Sequence, residues 1–392
     1  MISVREAQHI VKINSSKGSA VRIPIVDAVN LFLAEDIYAP INVPSFNQSA
    51  MDGYAFKYAD VESKLTVVGE IPAGDVREVA IEKGQAVRIY TGAKVPDSCD
   101  TVVMQELTEV EGNQIKVKDV GLKLGGNIRK EGYQIKKEDL SLKKGAKITP
   151  AAVGFLTSLG LTKVQVYNKP TVTIIATGDE LVKPGNLLQK GQVYESNTLM
   201  LKAALKKLNI DPEIIFLPDN FEQTKLAIKT ALEISDLILL SGGISVGDYD
   251  FVKQSLEENG VEQLFYKVKQ KPGKPLFYGK KRDKIIFALP GNPAAALNCF
   301  YIYVLYAINQ FIGNPNPGLE QSTAIITQDY QKKSGRAEFL KANINEGKVE
   351  LLDGQGSDVL LSFAKANCLV YLPNEREQIK AGESVDVYLL PV

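Results

Sequence analysis

Histidine is nearly missing from this chain of 392 residues, with His9 the one copy. His9 falls in an expected first helix, opened by Ser3 and Glu6 at the spacing of a capping box. An isolated histidine on a helix surface needs no function. Imidazole general-base chemistry and histidine-ligated zinc therefore drop out of the leading readings. Carboxylates, lysines and backbone amides must carry whatever chemistry there is. Cysteine is scarce as well: Cys99, Cys299 and Cys368 stand far apart. They have no metal-ligand spacing, and an odd count gives no disulfide framework. That favours a reducing compartment and a cytoplasmic location. Charge of one sign is not in excess, with Lys plus Arg at 46 and Asp plus Glu at 46. A nucleic-acid protein would carry a basic surplus, so none is expected as a partner. Long apolar runs are missing too. The first twenty residues hold no apolar stretch of signal-peptide type. The longest run, CFYIYVLYAI at 299–308, is ten residues, which suits a buried core helix and not a membrane span.

What is present has three regions. Residues 1–170 are strand- and turn-rich after the first helix and read as two lobes. Short β-type runs such as KLTVVGE, QAVRIYTG and DTVVMQE are separated by Gly, Pro and Asp. TEVEGNQIKV reads as a hairpin around Gly112 and Asn113, and TPAAVGFLTSLG as a helix ended by Gly160. Residues 171–313 alternate buried strands (TVTIIATG, PEIIFLP, DLILLSGG) with amphipathic helices, the mark of a doubly wound, mostly parallel sheet. After the linker NPNPG, residues 318–392 return to short strands and form a small C-terminal β domain. The fold class is thus multidomain α/β.

Open α/β sheets bind ligands beyond the carboxyl ends of their strands, where the strand order reverses. Here those ends carry Thr177-Gly178-Asp179-Glu180, Asp219-Asn220, the loop SGGISVGDYD from Ser241, and Pro290-Gly291-Asn292-Pro293. The glycines of that loop, Gly242 and Gly243, together with Ser245, would let backbone amides approach a phosphate at a helix N-terminus. A glycine-rich turn with capping aspartates is the plainer alternative. Asp179, Glu180, Asp219, Asp248 and Asp250 bring carboxylates to the same rim. They suit a hard cation, most simply Mg²⁺, although each alone could cap a helix. Lys267, Lys269 and Lys271 alternate in YKVKQKPGKP, so one extended strand would put all three on one face, with Lys274 after the turn. That face is a cationic wall for a phosphate or a solvated edge strand. A further oddity is PSFNQSAMDGYAF at 44–56, where Asp52 stands among Phe46, Met51, Tyr54 and Phe56. An Asp-Gly hairpin turn would normally sit between strands of alternating polarity.

These segments, with RIYTGAKVPDSCDTVVMQE, GGNIRKEGYQI, ATGDEL, LPGNPAA and GQGSDVLLSFAKANCLVYLP, closely resemble the molybdopterin molybdenumtransferases, relatives of the gephyrin E domain. They follow the family order along nearly the whole chain. The resemblance implies insertion of molybdenum from molybdate into adenylylated molybdopterin with release of AMP. It implies a homodimer whose active site lies between the α/β domain of one subunit and the N-terminal region of the other, with Asp52 presented across the cleft. It gives catalytic weight to Asp52, Glu180, Asp219 and Asp250; of the rim carboxylates, Asp219 and Asp250 are the expected Mg²⁺ ligands. The resemblance gives substrate-binding weight to Thr91, Lys267, Lys271, Pro290 and Pro293, to which the reading of the loops adds Gly242, Gly243, Ser245, Lys274, Gly291 and Asn292. The α/β domain is similar to the adenylyltransferase partner enzyme, which makes that enzyme a further candidate partner. Two alternatives follow from the same resemblance: adenylyl transfer onto molybdopterin, or a gephyrin-like scaffold with a decayed site. The latter is kept open because Gln134 stands where the family carries an acid.

Overall fold

The computed structural model describes residues 1–243, 251–332 and 335–391. Ser245, Asp248 and Asp250 lie outside the described residues. The chain divides into two compact units, one made of Met1–Val21 with Val166–Val392, the other of Arg22–Gln165.

In the first unit, four parallel strands stand in the order Glu213–Leu217, Val172–Thr177, Leu237–Ser241, Lys284–Leu289. Two antiparallel strands, Phe277–Lys281 and Glu262–Tyr266, extend the sheet. The first of the parallel strands in sequence thus lies inside the sheet, and the chain moves outward from it in both directions. Side chains alternate between two cores. Ile174, Leu239 and Phe287 face the first helix, Val4–Asn14, and the long helical stretch beginning at Pro293. Ile175, Ile238, Leu240 and Ile286 face Ile228 and Leu232 of one helix and Val252 and Leu256 of another. The first helix carries the expected capping box: Glu6 N–H donates to Ser3 Oγ at 3.2 Å, and Ser3 N–H donates to Glu6 Oε2 at 2.7 Å. His9 is exposed on its outer face.

Pro293–Phe311 is the one helix among the described residues long and apolar enough to cross a membrane. Ala294, Ala296, Tyr303, Val304 and Ile308 of this helix are buried in the sheet-facing core, as the sequence reading of a core helix requires. A π-helical turn, Phe300–Val304, interrupts it.

The C-terminal region closes five strands into a small barrel. Ala337–Asn345 pairs with Lys348–Leu351 on one side and Cys368–Leu372 on the other, and Gln321–Ile326 and Ser384–Leu389 complete the ring. Its interior is apolar, with Ile326, Leu340, Val349, Val370, Leu372 and Val387. Gln270–Lys271 adds to this barrel as a short parallel strand, Gln270 opposite Ala337 and Lys271 opposite Glu338.

That pairing overturns one sequence expectation. Lys267, Lys269 and Lys271 do not share a strand face. The sheet strand stops at Tyr266, and Lys267 takes a left-handed φ of 72°. The cause is competition for backbone hydrogen bonds: Ile2 bridges to Val268, accepting from Lys269 N–H and donating to Lys267 O. The chain leaves one sheet there and joins the other at Gln270.

The second unit is built on a six-stranded sheet in the order Thr101–Met104, Gly53–Phe56, Gln85–Ile89, Lys64–Ile71, Gln114–Val117, Thr108–Glu111. The hairpin around Gly112 and the helix Pro150–Ser158, capped by Thr149, form as the sequence indicates.

Candidate functional site

A cleft of about 950 Å³ opens at the carboxyl ends of the parallel strands. Its walls include Thr177, Gly178 and Glu180 after the first strand, Asp219 after the second, Ser241, Gly242 and Gly243 after the third, and Pro290–Pro293 after the fourth. The sequence argument from strand ends therefore converges on one place. Lys271 and Lys274 line it as well; Lys267 does not, its ammonium lying over the Tyr266 ring at 4.9 Å. Arg336 and Ser357, from the C-terminal region, complete the lining, and the reading of local strand ends had missed both.

Gly242 and Gly243, which follow the third strand, have no room for side chains. A Cβ on Gly242, whose φ is +93°, would stand 2.6 Å from Thr177 O, and one on Gly243 would stand 2.5 Å from Val252 Cγ2. Backbone is thereby exposed to the cleft. Two buried polar atoms, Thr177 Oγ1 and Asn197 Oδ1, find no hydrogen-bond partner among the described residues. Both residues line the cleft. Asn197 is held in place by its amide nitrogen, which donates to Ser241 Oγ and to Gly291 O, each at 2.8 Å. Buried polar atoms left over in this way are open acceptors or donors for a ligand.

The electrostatics are divided. Asp219 is partly withdrawn from water and faces the charges of Asp179 and Glu180, which together hold its carboxyl above the usual carboxylate range. Lys271, also in the lining, lies 3.7 Å from Glu338, whose side chain is 1% exposed and whose second oxygen accepts from Tyr330 at 2.7 Å. Lys271 is thus compensated, whereas Lys274 and Arg336 form no ion pair among the described residues. Among those residues no group of three or more His, Cys, Asp or Glu side chains could hold a metal ion.

Asp52 and Thr91 meet in the second unit. Asp52 Oδ1 accepts from both the N–H and the hydroxyl of Thr91, each at 2.7 Å, and this lowers the carboxyl below its ordinary range. Asp52 ends a turn closed by Ser49 Oγ donating to Met51 O, and its own carbonyl accepts from Gln105 N–H. Gly53 then enters the sheet between two strands, where a Cβ would stand 1.8 Å from Val103 O. The Asp-Gly pair is therefore a strand entry and not a hairpin. The expectation of an apolar setting holds only below it: Tyr54 and Phe56 are buried, whereas Met51 and Asp52 are exposed. Arg88, under the same turn, lies over the Tyr54 and Tyr90 rings at 5.0 and 5.5 Å. Gln134 is exposed, and its N–H donates to Val43 O.

The chain is similar to known proteins along its length. Residues 2–160 match the MoeA N-terminal region (domain I and II), 173–310 a probable molybdopterin binding domain, and 323–390 the MoeA C-terminal region (domain IV). It is 40% identical to the molybdopterin molybdenumtransferase of Haemophilus influenzae, over 92% of this chain and 91% of that protein. The chain belongs to the molybdopterin molybdenumtransferase family. The Bacillus subtilis molybdopterin molybdenumtransferase is 32% identical over 99% of this chain and 93% of its own length. The crystal structure of the molybdopterin biosynthesis MoeA protein of Pyrococcus horikoshii superposes with a TM-score of 0.84 at 29% identity, covering all of both chains. Membership of the molybdopterin molybdenumtransferases makes the chain an enzyme of molybdenum cofactor biosynthesis, and the cleft lies within the region matched to molybdopterin binding together with the C-terminal region.

Proposed function

We propose that this enzyme inserts molybdenum from molybdate into adenylylated molybdopterin and releases AMP, the final step of molybdenum cofactor synthesis in the cytoplasm. One observation carries the reading. A single cleft joins exposed glycine backbone, unpartnered polar atoms of Thr177 and Asn197, the cations Lys274 and Arg336, and a carboxyl group of raised pKa at Asp219. That combination suits a large ligand with several phosphate-type oxygens.

In this reading the Gly242–Gly243 backbone and the cationic wall hold the diphosphate bridge of the substrate. Water attacks the molybdopterin phosphorus, the bond to the bridging oxygen breaks, that oxygen departs on AMP, and Lys274 and Arg336 stabilise the charge that develops there. Asp219 faces the same bridge from the acidic rim. Its crowding by Asp179 and Glu180 fits a Mg²⁺ ion, which binds through one or two carboxylates and takes its other ligands from water and phosphate. Asp219 would hold it, with Asp250 as the second ligand expected from the sequence. When bound, Mg²⁺ supplies charge neutralisation at phosphate oxygens. Asp52, fixed by Thr91, acts in trans in a homodimer, opposite the partner's cleft. The adenylyltransferase that makes the substrate is a candidate partner of that assembly.

AMP release from adenylylated molybdopterin, measured with and without molybdate, tests the function. Molybdate-dependent release is expected. Binding without release would favour a scaffold, and ATP-dependent adenylylation of molybdopterin would favour the partner enzyme's chemistry; either result overturns the proposal.

A further inference from the structure

Lys341 is a lysine where packing alone would call for an apolar residue. It lies in the barrel strand Ala337–Asn345 and is 1% exposed. Its neighbours Leu340 and Ala342 point into the barrel core, so Lys341 faces the other way, towards the loop 352–359. The ammonium donates to three backbone carbonyls of that loop: Gly354 at 2.8 Å, Gly356 at 3.0 Å and Val359 at 3.1 Å. Three donors meet three acceptors, and no carboxylate stands at ion-pair distance among the described residues. A buried charge with no carboxylate at ion-pair distance is costly, and a well-packed apolar side chain would avoid that cost. The charge is instead used to gather carbonyls.

The rest of the loop is tied to the same strand. Lys341 N–H donates to Gln355 Oε1 at 2.9 Å, and Gln355 Nε2 donates back to Lys341 O at 2.8 Å and to Leu352 O at 2.7 Å. Ser362 Oγ donates to Gly354 O at 2.7 Å. The far end of the loop is Ser357, which lines the cleft. Ser357 O accepts from Ala295 N–H at 3.0 Å, and Ser357 Oγ accepts from Asn292 Nδ2 at 2.8 Å. The path therefore runs from a buried ammonium through a folded loop to the residues that follow the fourth parallel strand.

We propose that Lys341 is a positioning residue for the cleft: it folds the loop 352–359 around its ammonium and so sets Ser357 against Asn292 and Ala295. The inference rests on the function proposed above, because the cleft it shapes is the one assigned to substrate. Lys341 touches no substrate in this account. It acts through Ser357, so its removal and the removal of the Ser357 hydroxyl act on one unit.

The test uses the full chain with Lys341→Met, Ser357→Ala and the double variant. Lys341→Met is expected to raise KM for adenylylated molybdopterin roughly tenfold or more, with kcat changed much less. Ser357→Ala is expected to shift KM the same way, and the double variant to be no worse than Lys341→Met, since residues acting as one unit are not additive. Additive losses, or an unchanged KM in a folded Lys341→Met protein, overturn the proposal. If Lys341→Met does not fold, Ser362→Ala removes one tie from the same loop; a smaller KM rise supports the proposal and none overturns it. Hydrogen exchange at Ala295 N–H gives a readout free of turnover. Faster exchange in the variant supports positioning, even if the wild-type chain releases no AMP and the functional reading falls. Unchanged exchange overturns positioning even if AMP release is confirmed.

Discussion

At the scale of single residues, two carboxylates are tuned in opposite directions, and the sign of each shift makes a prediction. Asp219 has its carboxyl raised by partial burial and by Asp179 and Glu180. Between its ordinary value and the raised one, the native state binds more protons than the unfolded chain, so stability falls as pH rises through that window. At neutral pH the charge on Asp219 is thus a cost to folding. Asp219→Asn is expected to raise Tm at pH 7, with the gain vanishing in acid, while turnover drops on the order of tenfold to a thousandfold. A calorimetric melt that shows lower Tm at pH 7 would contradict the crowding argument. Asp52 is the reverse case. Its carboxyl is lowered by two bonds from Thr91, so that contribution to stability is present above the ordinary carboxylate range and is lost as pH falls through the lowered value. Thr91→Val keeps the N–H and deletes the hydroxyl. The Asp52 carboxyl should then titrate higher by NMR, and a titration curve identical to wild type would show that the hydroxyl does not hold it.

At the scale of elements, the α/β sheet and its cleft were legible because strand ends carry local signals: glycine where backbone is crowded, and Asp or Asn where helices begin. Thr177, Asp219, Gly242 and Asn292 were found in that way. Arg336 and Ser357 were missed by strand-end reasoning because they reach the cleft from the C-terminal barrel. No local pattern in the α/β segment announces a partner more than forty residues beyond its last strand. The three lysines were misread for a related reason: alternation from Lys267 to Lys271 suggests one strand, but Ile2 takes the backbone of Lys267 and Lys269. The consequence for Lys271 is specific. It neutralises buried Glu338, so Lys271→Ala leaves a carboxylate with Tyr330 as its remaining partner and should cost about 1–3 kcal/mol of stability. Lys274→Ala breaks no such pair and should weaken binding of AMP in a salt-sensitive manner without lowering Tm. Equal Tm losses in the two variants would show that the Lys271–Glu338 pair contributes nothing.

At the scale of the whole molecule, the Asp52 turn and the cleft belong to different compact units, and the proposed reaction needs both. The dimer reading supplies them in trans. It predicts a solution mass near twice 42.9 kDa by light scattering at micromolar concentration. It also predicts complementation. Asp52→Asn and Asp219→Asn chains are each expected to lose most of their activity alone, roughly tenfold or more. In a mixed dimer, one composite site receives both defects and the other receives neither. Random re-pairing of equal amounts yields mixed dimers as half of the population, so about a quarter of all composite sites are intact. Unfolding and refolding the two variants together should therefore restore about a quarter of wild-type molybdate-dependent AMP release, whereas mixing them without exchange should restore none. If each site were built within one subunit, every site would keep a defect in either procedure. Recovery after co-refolding thus decides between the two arrangements, and no recovery, with mixed dimers demonstrated by mass spectrometry of differently tagged chains, would remove Asp52 from the partner's site.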